Sequence, residues 1–209
     1  MKNVLTTILL IVFFLPFYQS FAQKCKPDAQ STDKFTKKQN TYWIEEIYKP
    51  GFADGVNDAL ANNTSSYTIS LLIGRFGDAN FIQIVIKKNE ASLQSANFES
   101  ALKSEKGNEF LLGFQEGDPM NFIATGAQNN TKMDNINNVL VTTVSLDCKI
   151  SDEDLSKLEQ LTTKPITAIR IKLANGVTIE QDVKSKKGQN TMQKLACCYK
   201  FFKDNGFIK

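Results

Sequence analysis

Histidine is absent from all 209 residues. That removes Ser-His and Cys-His nucleophilic sites and the commonest transition-metal ligand. There is no G-x-S-x-G elbow, no Walker loop and no glycine-rich dinucleotide fingerprint, so the enzyme classes legible from short motifs are excluded. Net charge is small too. Twenty-five basic residues face twenty-two acidic ones, a net charge of +3. No Lys/Arg cluster falls on one face of an expected helix, so a nucleic-acid footprint is missing. Past residue 17 no long apolar run recurs, and no membrane span is expected in the mature chain.

What is present begins with a leader. Lys2, an apolar run over residues 4–17 and the small-residue end Ser20-Phe21-Ala22 read as a signal peptide over residues 1–22. The run is short for a permanent span. Lys24, not a small residue, precedes Cys25, which argues against a lipoprotein cleavage site. Cleavage removes one charge, Lys2, and a soluble product in the periplasm or outside the cell is expected.

Export puts the four cysteines in an oxidising compartment, where pairing is the default. Three connectivities are open. Cys148 is in phase with Leu140, Val144 and Leu146 on a strand, and Cys198 lies on the core flank of the last helix. That favours Cys148–Cys198 and leaves Cys25 to reach Cys197. Free or partly oxidised thiols are the alternative. A Cys197–Cys198 bond would be strained on a helix, and adjacent helical cysteines diverge too far to share one tetrahedral zinc. No cofactor is expected.

Residues 146–202 organise the rest. Ser151 opens a helix as N-cap, with Asp152, Glu153 and Asp154 opposing the dipole in its first turn. Leu155, Leu158 and Leu161 mark its buried stripe, and Pro165 ends it. A strand over 166–173 turns at Asn175-Gly176, a type I′ signal, and returns over 177–183. Arg170 faces away from the apolar side and is expected to pair with Glu180 across the hairpin. The final helix, over 189–205, stops at Gly206. Its core face carries Met192, Leu195, Ala196, Tyr199 and Phe202. Cys197 and Phe201 fall on the opposite side, where something must cover them.

Upstream, residues 23–41 read as an extended N-terminal arm and 42–209 as one domain. Residues 42–48 form an aromatic strand, in which Tyr42, Trp43 and Tyr48 are either core or a stacking platform for a sugar. Residues 50–66 form a loop. Asp54 and Asp58 near its glycines lack the ligand spacing of an EF-hand. Asn62, Asn63 and Asn129 head N-x-S/T triplets. Two hairpins, over 67–87 and 110–125, share a Leu-Ile/Leu-Gly … Gly-Asp … Phe-Ile echo. That echo reflects ordinary turn chemistry or a repeat placing Asp78, Asn80, Asp118 and Asn121, with Arg75 nearby, at one ligand rim. Residues 95–103 are a short helix or crossover, and 128–138 an Asn-rich loop.

About eight strands joined by short turns give an α+β fold. The sheet is mainly antiparallel, β-sandwich-like or strongly curved, with a short helix and a long C-terminal helix. From about residue 95 onward the chain runs strand, Gly-Asp turn, strand, Asn-rich gap, strand, Ser-Asp-Glu-Asp-Leu helix, Pro-Ile-Thr-Ala-Ile-Arg-Ile strand, turn, strand, helix. This order resembles a domain recurrent in secreted bacterial proteins of unknown role. The resemblance implies an envelope or extracellular location and carries over no active-site residues.

Two functions fit. One is an exported, non-catalytic binding or structural module for an unidentified protein or glycan. The other is a small carboxylate-dependent hydrolase of cell-envelope or extracellular polymer, with Asp78 and Asp118, or Glu45 and Glu46, as its paired acids.

Overall fold

A computed structural model of the chain describes residues 25–50, 65–91, 102–134, 139–151 and 154–208. The expected leader, the expected loop residues Asp54, Asp58, Asn62 and Asn63, residues 95–101 of the expected helix or crossover over 95–103, and Asp152 and Glu153, expected in a first helical turn, lie outside the described residues.

In chain order the elements are β1 (Ala29–Thr32), β2 (Gln39–Tyr48), β3 (Ser65–Phe76), β4 (Ala79–Ala91), β5 (Glu109–Phe114), β6 (Met120–Ile123), β7 (Gly126–Asp134), β8 (Val139–Lys149), α1 (Leu155–Leu161), β9 (Ile166–Lys172), β10 (Thr178–Asp182) and α2 (Ser185–Asp204). They build two antiparallel sheets. The larger has the order β1-β2-β3-β4-β8-β7 and the smaller β10-β9-β5-β6. The fold is α+β and mainly sheet.

Period-two alternation puts one face of each sheet into a shared core. In the larger sheet Trp43, Ile73, Ile82 and Cys148 stand in one row across four strands, and Leu71, Ile84 and Leu146 in the next. In the smaller, Ile179, Ile171, Phe110 and Phe122 line up the same way. All are buried. The opposite face of the small sheet is wet. There Arg170 lies directly opposite Glu180 and grips it through two bonds of 2.8 and 2.9 Å.

Several local expectations are corrected. The Asn-rich stretch is largely strand: β7 pairs with β8 from Gly126 to Asp134. It is an edge strand, and its side chains from Gln128 to Lys132 are exposed. A strand that buries little writes no alternating pattern into its sequence. Within the expected extended arm, β1 pairs with β2 and borders the larger sheet. Ser151 is not the N-cap of α1. That position belongs to Asp154, whose carboxylate turns back to accept the Ser151 N–H and hydroxyl. The turn at Asn175 is not the two-residue I′ form. Leu173 and Val177 close a three-residue loop in which Gly176 alone has positive φ, +80°; that is the type I turn with a glycine bulge.

Helix α2 rests chiefly on β2 and also touches β9, β3 and α1, so it bridges the two sheets. Its buried line is Gly188, Thr191, Leu195, Cys198 and Phe202. The helix starts four residues earlier than its apolar pattern, because Gly188 serves as a contact rather than a break. A Cβ there would sit 2.1 Å from the Ile166 carbonyl oxygen of β9. At the other end the Gly206 N–H bonds Lys203 O and the Phe207 N–H bonds Phe202 O, a Schellman stop.

The far side of α2 is covered as its residues require. Cys197 is bonded to Cys25, and the Phe201 ring lies 5.5 Å from Trp43 and 5.7 Å from Phe207. The pairing favoured for Cys148 and Cys198 is not formed; both are free and buried. Cys148 shares a row with Trp43 but three strands away, about 14 Å at the usual spacing. Helix α2 sits over the β2 end of that row, and a disulfide needs Cα atoms within about 7 Å.

Gly188→Ala tests the helix–sheet contact. Alanine gains about 1 kcal/mol in helix propensity, but a methyl forced against a fixed carbonyl costs about 2–3 kcal/mol. The variant is expected to be less stable than the parent in urea melts; equal or greater stability would refute the close approach.

Candidate functional site

The open side of the sandwich, between the edge of β6 and the end of β8, forms a cleft of about 530 Å³. Three elements wall it. Strand β6 contributes all four of its residues, with Asp118 and Pro119 leading into it. Cys148 and Lys149 come from β8. Asp154, Lys157 and Gln160, spaced by three, present one face of α1.

A corner explains why the cleft exists. After β6 the chain crosses directly into the larger sheet as β7. At the crossing Thr125 donates its N–H (2.8 Å) and hydroxyl (3.0 Å) to Asp147 O, and its hydroxyl accepts the Lys149 N–H at 3.1 Å. The sheets are spliced there and diverge along β6. The outer edge of β6 is left open, since among the described residues it pairs with β5 alone.

The charged groups are unevenly engaged. Asp154 accepts from Ser151 and from Lys157 Nζ at 2.9 Å. Partial burial raises its pKa, but the bonds from Ser151 and Lys157 outweigh this and hold the carboxyl below its ordinary range. At the cleft's base burial, with the Asp147 and Asp154 charges adding, pushes the Cys148 thiol up to about 12. The Cys198 thiol, in the core, is raised well above its usual value by burial.

The five rim candidates separate. Asp118 and Asn121 line the cleft; Arg75, Asp78 and Asn80 do not. The two hairpins belong to different sheets, so their echo in sequence does not make one surface. Arg75 donates to Asn80 Oδ1 at 2.8 Å and stacks 3.9 Å over the Phe207 ring, while Asn80 donates to Phe207 O. Both residues anchor the turn after α2. Asp78 is paired with Lys38, whose hydrogen bond lowers its pKa. The aromatic platform also fails. Trp43 is 2 % exposed, and its neighbour Tyr42 points to the other face of β2, as adjacent strand residues must, beside Phe76. Tyr48 meets Tyr67 instead.

The acids on β2 serve the helix. Glu45 stands in a core-facing row opposite Leu71, its side chain 11 % exposed, with Lys194 at 3.3 Å and Lys187 at 3.5 Å. Glu46 shares Lys187 at 3.9 Å. Sequence reasoning missed the α1 wall, Lys149 and Thr125. The three-residue spacing of Asp154, Lys157 and Gln160 was a usable signal; the splice at Thr125 left none. Asn129 is fully occupied, its amide taking the Ser104 N–H and bonding the Ser104 carbonyl, both at 2.8 Å. Among the described residues no group of three or more acids and cysteines is placed to hold a metal ion, and no helix is long and apolar enough to cross a membrane. No family model, curated protein or solved structure matches the chain.

Two measurements follow from these groups. Native protein at pH 8 should react with a thiol reagent at least a hundredfold more slowly than denatured protein, which should release two thiols; fast native labelling would contradict the burial of Cys148 and Cys198. Asp154 has a folded pKa below its ordinary 3.8, so the stability it contributes is complete above that value. It is lost as pH falls through the folded pKa. The stability gap between parent and Asp154→Asn should therefore be widest near neutrality and shrink as pH falls below the ordinary 3.8 through the lowered folded pKa.

Proposed function

We propose that the chain is an exported, non-catalytic binding module whose ligand sits in the cleft between β6, β8 and α1. The observation that carries this is the cleft itself. It is of ligand size, mixed polar and apolar in lining, and held by short secondary elements and a spliced corner, which favours recognition by a preformed surface. Export is supported by the leader-like residues 1–22 and by the Cys25–Cys197 bond.

A second reading keeps one observation in its favour. Two carboxylates, Asp118 and Asp154, line the same cleft, as a hydrolase of envelope or extracellular polymer would need. Against it, a general acid requires a raised pKa, and the bonds to Asp154 act in the other direction. The acid pairs expected from sequence are engaged elsewhere: Asp78 with Lys38, and Glu45 and Glu46 with lysines of α2.

Glycan and peptide arrays probed with the refolded protein test the proposal. A ligand captured by the parent should be lost at least tenfold by Gln160→Trp, which fills the cleft from the exposed face of α1, with the melting temperature unchanged. Equal capture by that variant would place the site elsewhere. Turnover of a captured polymer that is abolished by Asp118→Asn would favour the hydrolase instead.

A further inference from the structure

We infer that the cleft takes an extended polypeptide of four to five residues, which adds to the small sheet as a strand antiparallel to β6. This rests on the cleft being the binding site.

Backbone geometry is the first support. The Ala124 N–H bonds Asn108 O, and the Gly107 N–H bonds Ala124 O. In an antiparallel pair such inward bonds recur at every second residue, so Phe122 and Met120 also direct their N–H and C=O groups at β5. Asn121 and Ile123 direct theirs outward. Thr125, next in that series, does so visibly, since its N–H reaches Asp147 across the corner. Two donors and two acceptors therefore open into the cleft from a strand that among the described residues has no partner on that side. A peptide backbone supplies the matching set at the matching spacing; a sugar does not.

Charge is the second. Asp118 lies just before β6, and Lys149 is tied to Thr125 just after it. A negative group and a positive group thus flank the two ends of the edge, which over its four residues is about 14 Å long at strand rise. The other charged pair in the lining, Asp154 and Lys157, is neutralised internally. A guest in antiparallel register meets Lys149 with its N-terminal end and Asp118 with its C-terminal end. The complementary guest carries an acid first and a base last. Antiparallel pairing is the more stable alternative per residue, and every strand pair described in this protein adopts it.

The test uses the whole mature protein and two acetylated, amidated peptides, Glu-Val-Thr-Val-Lys and its charge reverse Lys-Val-Thr-Val-Glu. Binding is followed by anisotropy and by amide hydrogen exchange. The first peptide should bind at least tenfold more tightly, and exchange at Asn121 and Ile123 should slow at least tenfold on saturation. The double variant Asp118→Lys, Lys149→Asp should invert the preference. Asn121→Pro, which removes an outward N–H without breaking the β5 ladder, should weaken the first peptide at least tenfold at unchanged melting temperature. Unprotected Asn121 and Ile123 amides with a cleft ligand bound, or no effect of the charge exchange, would overturn strand addition and leave the cleft as a binding site. Peptide binding insensitive to Gln160→Trp would overturn the cleft reading as well.

Discussion

Everything in this molecule depends on how α2 is held against β2. The helix packs on strands of both sheets, and two different kinds of bond fix it. One is covalent: Cys25, just ahead of β1, is joined to Cys197 across 172 residues. The other is electrostatic: Glu45 projects into the core-facing row of β2, where a carboxylate without a partner would be costly. Lys194 and Lys187 neutralise it from α2, and Lys194 also binds Asp28 and the Ile44 carbonyl. The partly buried acid makes the helix necessary to the strand as much as the strand supports the helix.

From that clamp the remaining geometry follows. With α2 bridging the β2 side, the two sheets are closed together at one border of the sandwich. At the other they are joined through Thr125 and then part, and α1 is left beside the gap. The cleft is thus a result of topology, the chain leaving the small sheet at β6 and entering the large one at β7 without a linker. Its floor is made by ordinary core residues, Met120, Phe122 and Cys148, seen from the side.

Much of this was written in the sequence where burial imposes a period. Ile69, Leu71, Ile73 and Ile82, Ile84, Ile86 announced the central hairpin, and Ile169, Ile171 and Leu173 the strand β9, because each set must face one core. Cys197 and Phe201 announced that α2 has a covered back. What escaped were features whose cause is not burial. Strand β7 is held by its ladder to β8 and carries Gln, Asn, Thr and Lys. The expected start of the last helix at 189 left out Gly188, whose role is its close approach to the Ile166 carbonyl. The cleft joins Asp118 to Lys149 and Gln160, residues with no shared period, through a corner that only three-dimensional pairing defines. Arg75 and Asn80 were legible as polar residues near a turn, but the Phe207 they hold is over a hundred positions away.

The two outer borders of the six-stranded sheet, finally, are poor places for a like molecule to begin a seventh strand. Strand β1 is four residues long and mostly exposed, and β7 offers exposed polar side chains and a lysine in place of an apolar ribbon. Short or polar margins of this kind raise the cost of self-templating. A wide sheet finished in this way behaves as a closed tile, and crowding many copies together should not by itself string them into fibres through these two borders.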